Sequence, residues 1–94
     1  MNGLQDLVVV LKDGQTETDV QGGELTVDEG PTPWTLPCTV CLPAGRHKLE
    51  VSHPTRTIRQ PNPRIVEVLI QTDPNAPAQM ERFEAEPAPP TRIV

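Results

Sequence analysis

From Leu7 to Ile70 the apolar residues fall in short runs, mostly with a period of two, between clusters of glycine, proline and acidic residues. That period belongs to strands, whose side chains point alternately to opposite faces. LVVVL (7–11) is unbroken and rich in β-branched residues, which predicts a strand buried on both faces. KDGQ (12–15) follows, and Asp-Gly favours a hairpin turn because both positions tolerate positive φ. TETDV (16–20) then returns along an edge, QGGE (21–24) turns again, LTV (25–27) is a short strand and DEGPTP (28–33) a loop.

In TLPCTVCL (35–42), Leu36, Cys38, Val40 and Leu42 share one face, with Pro37, Thr39, Cys41 and Pro43 on the other. Pro37 has no N–H for a ladder, so this strand is an edge or starts after it. PAGR (43–46) reads as the turn of a hairpin into HKLEVSH (47–53), which puts His47, Leu49, Val51 and His53 on one face. TIRQ (57–60) is a further short strand, PNP (61–63) a break, and RIVEVLI (64–70) the last strong strand. No stretch up to Gln71 has the 3.6-residue period of a helix. Six or seven short strands at intervals of about ten residues predict an all-β fold, a small antiparallel β-sandwich of the immunoglobulin-like kind. Its core positions would be Val8, Val10, Leu25, Val27, Leu36, Cys38, Val40, Leu49, Val51, Ile65, Val66, Val68 and Ile70.

The pattern changes at Asp73, so the chain divides into a sandwich domain, 1–72, and a proline-rich C-terminal arm, 73–94, which holds five of the prolines. AQMERFEAE suggests a short helix at 78–85 with Met80 and Phe83 on one side, and TRIV (91–94) suggests a short added strand. Proline-rich composition buries too little apolar surface to fold alone. The arm is therefore read as anchoring the protein to a neighbour, with Met80, Phe83, Arg92, Ile93 and Val94 as its partner-binding residues.

Ninety-four residues make one small domain, and a net charge of −5 argues against nucleic-acid binding. Residues 1–33 carry seven acids and one base, 34–72 five bases and two acids, and 73–94 four acids and two bases. Such opposite-sign regions suit contact between copies or with a larger surface, though uneven solvated charge is the plainer reading. No apolar run approaches the ~20 residues of a membrane span, so membrane insertion is not expected. No signal peptide is visible, because the apolar run 7–11 is too short and lacks a basic flank.

Cys38 and Cys41 have Cys-x-x-Cys spacing, which serves redox pairs and zinc sites. A strand places them on opposite faces and ~10 Å apart, too far for a disulfide unless the strand breaks. A zinc site would need His47 and His53 as further ligands. Structural cysteines, Cys38 in the core, are the favoured reading over both. The histidines read as ordinary strand-end residues. Arg46, Lys48, Arg56, Arg59 and Arg64 form a basic middle where a phosphate or carboxylate could dock. No triad, phosphate-cradling loop or cofactor motif appears, so no catalytic, cofactor-binding or metal residue is assigned, and an enzyme is not expected.

LTVDEGPTPWTLPCTVCLPAGRHKLEVSHP (25–54) resembles the PEGA domain, which runs from a strand through a Val-Asp turn and a Thr-Pro step to Leu-Pro-Ala-Gly-x-His and an alternating strand. Val27, Asp28, Thr32, Pro33, Leu42, Pro43, Ala44, Gly45, His47, Leu49 and Val51 carry the match. TRTIRQ stands where a glycine and an aromatic are usual, and Glu29 where the turn glycine is usual. The resemblance implies a small β-sandwich with a non-catalytic role, often on bacterial surfaces.

Together these readings predict a non-enzymatic structural protein of a repeated assembly, a virion decoration (cement) subunit or other capsid- or appendage-associated subunit. Its partners would be copies of itself or a major capsid or assembly protein, and its location a virion or other extracellular surface assembly. The alternative is a PEGA-like cell-surface module for glycan or peptidoglycan.

Overall fold

A computed structural model of the chain describes residues 4–31, 33–73 and 75–87. Seven strands and no helix appear among them: β1 Leu4–Asp13, β2 Glu24–Val27, β3 Trp34–Thr35, β4 Cys38–Pro43, β5 Gly45–Ser52, β6 Arg64–Val68 and β7 Gln79–Ala85. They form two sheets, β4-β1-β7 and β3-β2-β5-β6. All pairings are antiparallel except β1 with β7. The inner faces meet in one core that includes Leu7, Leu11, Leu25, Leu36, Leu49 and Phe83. The all-β, sandwich-like architecture thus agrees with the sequence pattern.

The register of β1 differs from expectation. Leu7, Val9 and Leu11 are buried, while Val8 and Val10 lie on the outer face and are half-buried. An unbroken apolar run has no alternation to fix its face. Pairing fixes it instead: Leu7 lies opposite Val40 and Val9 opposite Cys38, both inward-facing residues of β4. Ile65 and Ile70, also expected in the core, are more than half exposed. Ile65 alternates outward between Arg64 and Val66, and Ile70 lies past the end of β6.

The segment 35–42 is not one strand. β3 belongs to the four-stranded sheet and β4 to the three-stranded sheet, with Leu36 and the cis Leu36–Pro37 bond between them. β4 begins just after Pro37 and runs along an edge, as its missing donor required. Nor do β4 and β5 form a hairpin. Pro43–Gly45 carries the chain across from one sheet to the other, since β4 pairs with β1 and β5 with β2 and β6. Gly45 sits in this crossing at φ 130, a conformation few side chains tolerate. Residues 16–20 return beside β1 only as a bridge, Lys12 with Asp19.

The largest correction concerns the segment assigned to the arm. Residues 79–85 are the strand β7, paired along β1 from Leu7–Gln79 to Asp13–Ala85, and not a helix. Phe83 and Ala85 are fully buried, so the sandwich extends well past residue 72. The helix-forming residues of MERFEA are overruled by tertiary pairing, because Phe83 and Ala85 gain a core when spaced two apart. The strand also parts Met80 from Phe83. Met80 points outward, 62% exposed, and Phe83 points in. Arg64 lies over the Phe83 ring, 3.9 Å from its centroid, while its Nη1 donates to Glu81 at 2.7 Å. Phe83 therefore belongs to the core and offers nothing to a partner.

Two carboxamides finish the ladders where backbone cannot. β6 starts opposite Leu49, and the next antiparallel position would set residue 62 against Val51. Pro61 and Pro63 flank that position. The Asn62 side chain takes the backbone's place: Val51 N–H donates to Oδ1 at 3.0 Å, and Nδ2 donates to Val51 O at 2.8 Å. At the far end of β6, Gln79 Nε2 donates to Glu67 O and Leu69 N–H donates to Gln79 Oε1.

Candidate functional site

The residues singled out for chemistry resolve first. Cys38 faces inward against the core and Cys41 outward, both as free thiols. Burial pushes the Cys38 thiol up. Cys41 Sγ donates to Asp6 Oδ1 at 3.1 Å, and that contact with a carboxylate pushes its thiol up too. Neither is poised as a thiolate nucleophile. Among the described residues no three His, Cys, Asp or Glu side chains converge as a metal site.

His47 and His53 hold loops at opposite ends of β5. His47 Nδ1 meets Asp28 Oδ2 and Nε2 meets Pro43 O, each at 2.7 Å. Both partners are acceptors, so the ring donates from both nitrogens only as the imidazolium. Its pKa is accordingly raised, chiefly by the Asp28 hydrogen bond. The same bond holds Asp28 below the usual carboxylate range, with help from Lys48 N–H. Asp28 is at φ 51, and one carboxylate there ties the β2–β3 turn to β5. His53 Nε2 donates to Gln21 O at 2.8 Å, and its Nδ1 accepts Thr55 N–H at 3.1 Å.

The basic middle is largely engaged within the chain. Arg56 pairs with Asp13, Arg59 with Glu84 and Glu86, Arg64 with Glu81, and Lys48 with Glu29. Asp13 is nearly buried, and its Oδ1 also accepts the N–H groups of Gln15 and Thr16. Those hydrogen bonds, then Arg56, hold its carboxyl at about 2. The opposite-sign regions of the sequence thus meet each other inside one chain.

Two surface features remain, and sequence reasoning missed both. The first is a groove of about 250 Å³ at the end of the sandwich where β1 begins and β7 starts. Leu4 and Leu69, 54% and 61% exposed, supply its apolar walls, with Gln5, Gln71 and Gln79 between them. Gln71 N–H donates to Gln5 Oε1, and Gln71 Nε2 donates to Ala76 O and Pro77 O, so the floor is cross-tied. Met80 shares the outer face of the three-stranded sheet with Leu4. The signal that could have found this groove is the apolar residues left over once strand parity is assigned.

The second feature is the side of the sandwich formed by β3 and β4. Residues 30–45 carry no charge. Trp34 is 39% exposed there, and Thr39 and Cys41 are exposed along β4. Of the proposed partner-binding residues, Met80 is available at the surface, while Arg92, Ile93 and Val94 lie outside the described residues. No helix among the described residues is long and apolar enough to cross a membrane.

No family model matches the chain, and neither a curated protein nor a solved structure matches it.

Proposed function

We propose that this chain is a non-enzymatic structural subunit of a repeated assembly, a virion decoration (cement) subunit being the reading its features fit best. Its C-terminal residues anchor it to a neighbour. The observation that supports this is the exposed groove: its apolar walls, Leu4 and Leu69, stand more than half exposed at one end of a domain with a small core. Exposed apolar clusters of this kind mark contact surfaces.

The anchor in this reading is the tail beyond β7, with Ile93 and Val94 filling the groove of a neighbouring copy or assembly protein. Reach favours a neighbour. β7 starts at the groove and ends beside Asp13, at the other end of the sandwich. Seven residues, 88–94, span at most ~23 Å when fully extended, and β7 itself spans ~20 Å. For Ile93 and Val94 to fill the groove of their own chain, the residues between them and β7 would have to retrace nearly the whole length of that strand.

The test uses the chain with residues 88–94 deleted. A cut at residue 73 would remove Phe83 and Ala85 and unfold the core. A fluorescent peptide of residues 86–94 should bind the shortened chain, and Leu69→Glu should abolish that binding. Absence of peptide binding, with the full and shortened chains sedimenting alike, overturns the anchoring role.

The exposure of Trp34 is the single observation favouring the alternative, a PEGA-like module for glycan or peptidoglycan. Sugar binding lost in Trp34→Ala would favour it.

A further inference from the structure

We propose that β4 pairs with β4 of a second copy across a two-fold axis at Val40, giving a continuous six-stranded sheet β7-β1-β4-β4′-β1′-β7′.

Among the described residues, every other edge is short or covered. β3 has two residues. β6 is met by the Gln79 carboxamide at Glu67 and Leu69. β7 is met by the segment 57–59 through Arg59 N–H to Glu84 O, Glu86 N–H to Thr57 O, and the Ile58–Ala85 bridge. β4 is six residues long and ends its sheet. Soluble proteins usually protect such an edge with charge. This one has none, although the chain as a whole carries −5.

The direction of the free backbone groups follows from β1. Leu11 O accepts Val20 N–H and Asp13 N–H donates to Thr18 O, whereas Gly14 N–H donates to Ala85 O. Odd-numbered residues of β1 therefore bond toward the β4 side and even-numbered ones toward β7. Val9, Leu7 and Gln5 thus bond Cys38, Val40 and Leu42, their register partners. Thr39 and Cys41 turn their N–H and C=O groups outward. Pro43 agrees, since within a sheet a proline tolerates only the solvent side of an edge.

The occupant is a second copy because the strand is self-complementary. PCTVCLP, 37–43, reads about Val40 as proline, apolar, small, valine, small, apolar, proline. Antiparallel pairing about Val40 sets Thr39 against Cys41′, Cys38 against Leu42′ and Val40 against Val40′. Each residue meets one on the same face, as continuous sheets require. Pro37 and Pro43′ coincide at both ends, where neither has a donor to offer. An acidic chain also meets its copy here without opposing charges.

The contact deepens the reading as a self-associating subunit but does not use the tail, so the two fail separately: deletion of 88–94 reads the anchor and Thr39 variants read the edge. The chain with residues 88–94 deleted should sediment at twice its own mass. Thr39→Glu places a carboxylate beside Cys41′, which is itself bonded to Asp6′, and should weaken the dimer at least ~10-fold by like-charge opposition. Thr39→Lys, facing the same Asp6′, should keep it. In Thr39→Cys, paired Cα atoms about 5.5 Å apart suit a disulfide. Diamide, taking up the two thiol hydrogens, should join the introduced thiol to that of Cys41′ and give a covalent dimer on a non-reducing gel. A monomer at the highest soluble concentration, a dimer that survives Thr39→Glu, or a Thr39→Cys chain that diamide leaves uncrosslinked overturns the proposal.

Discussion

Replacing Asn62 by alanine tests the claim that its carboxamide serves as a rung of the β5–β6 ladder. The substitution deletes both bonds to Val51, at 3.0 and 2.8 Å, and leaves the N–H and C=O of a residue only 2% exposed without partners. A stranded buried polar group costs roughly 1–3 kcal/mol. Asn62 itself is half-buried, so water reaches part of the vacated space. A total of about 2–3 kcal/mol follows, near the lower bound for two such groups. For a domain this small each kcal/mol lowers Tm by about 4–8 °C, so a drop of about 10–20 °C is expected in circular-dichroism melts. Asn62→Asp sharpens the test. Its carboxylate still accepts from Val51 N–H but faces Val51 O with no donor. The deficit relative to wild type should therefore be large at neutral pH and shrink in acid, where the protonated carboxyl regains a donor. An Asn62→Ala chain within about 0.5 kcal/mol of wild type, the scatter of ordinary surface substitutions, would refute the ladder role.

Three further outcomes follow. The His47 pKa is raised in the fold, so its contribution is complete below the ordinary value near 6.5 and is lost as pH rises through the folded value; urea titrations from pH 6 to 9 should show a loss of about 0.5–1 kcal/mol that Asp28→Asn removes, the pair being partly exposed. The Asp13 pKa is depressed to about 2, so its contribution is present above 3.8 and lost as pH falls toward 2, and Asp13→Asn should flatten acid unfolding over that window. A Cβ on Gly23 would sit 2.6 Å from Leu11 Cδ2 in the core, and Gly23→Ala should cost about 1–3 kcal/mol by overpacking, read from urea midpoints.

Strand existence was legible wherever polarity alternated. TLPCTVCL and HKLEVSH show Cys38, Val40, Leu42, Leu49 and Val51 facing inward, and the structure agrees. Legibility failed where the local pattern was neutral or misleading. LVVVL carries no parity, so only pairing with β4 assigns Leu7, Val9 and Leu11 to the core. MERFEA suits a helix locally, and nothing local reports that β1 lies open to receive Phe83. The sheet switch at Leu36–Pro37 was half visible: the proline marked the start of β4, yet not the move from one sheet to the other. The Asn62 rung was invisible, because a side chain replacing its own backbone depends on a register set by Leu49 and Arg64. Of the groove walls, Leu4 precedes the predicted strand 7–11, and Leu69 lies inside the predicted strand 64–70 but off its expected core positions.

The charge pattern carries the last step. Unequal charge along the chain suits contact between copies or with a larger surface, though uneven solvated charge is the plainer reading of the sequence. In the fold those charges are mostly spent within the chain, as Arg56 meets Asp13, Arg59 meets Glu84 and Glu86, and Arg64 meets Glu81. The exposed charges that remain would pair weakly across a contact, and such pairs weaken with salt. An association built on them would fade at high ionic strength. Two surfaces among the described residues offer contact with few charges, the side formed by β3 and β4 and the Leu4–Leu69 groove. Contacts there rest on backbone hydrogen bonds and apolar burial, which excluded salts such as sulfate strengthen. Association of the full chain should therefore hold or tighten as sodium sulfate is raised. Sedimentation showing that added salt disperses the assembly would return the contact to the charged regions and count against both surfaces.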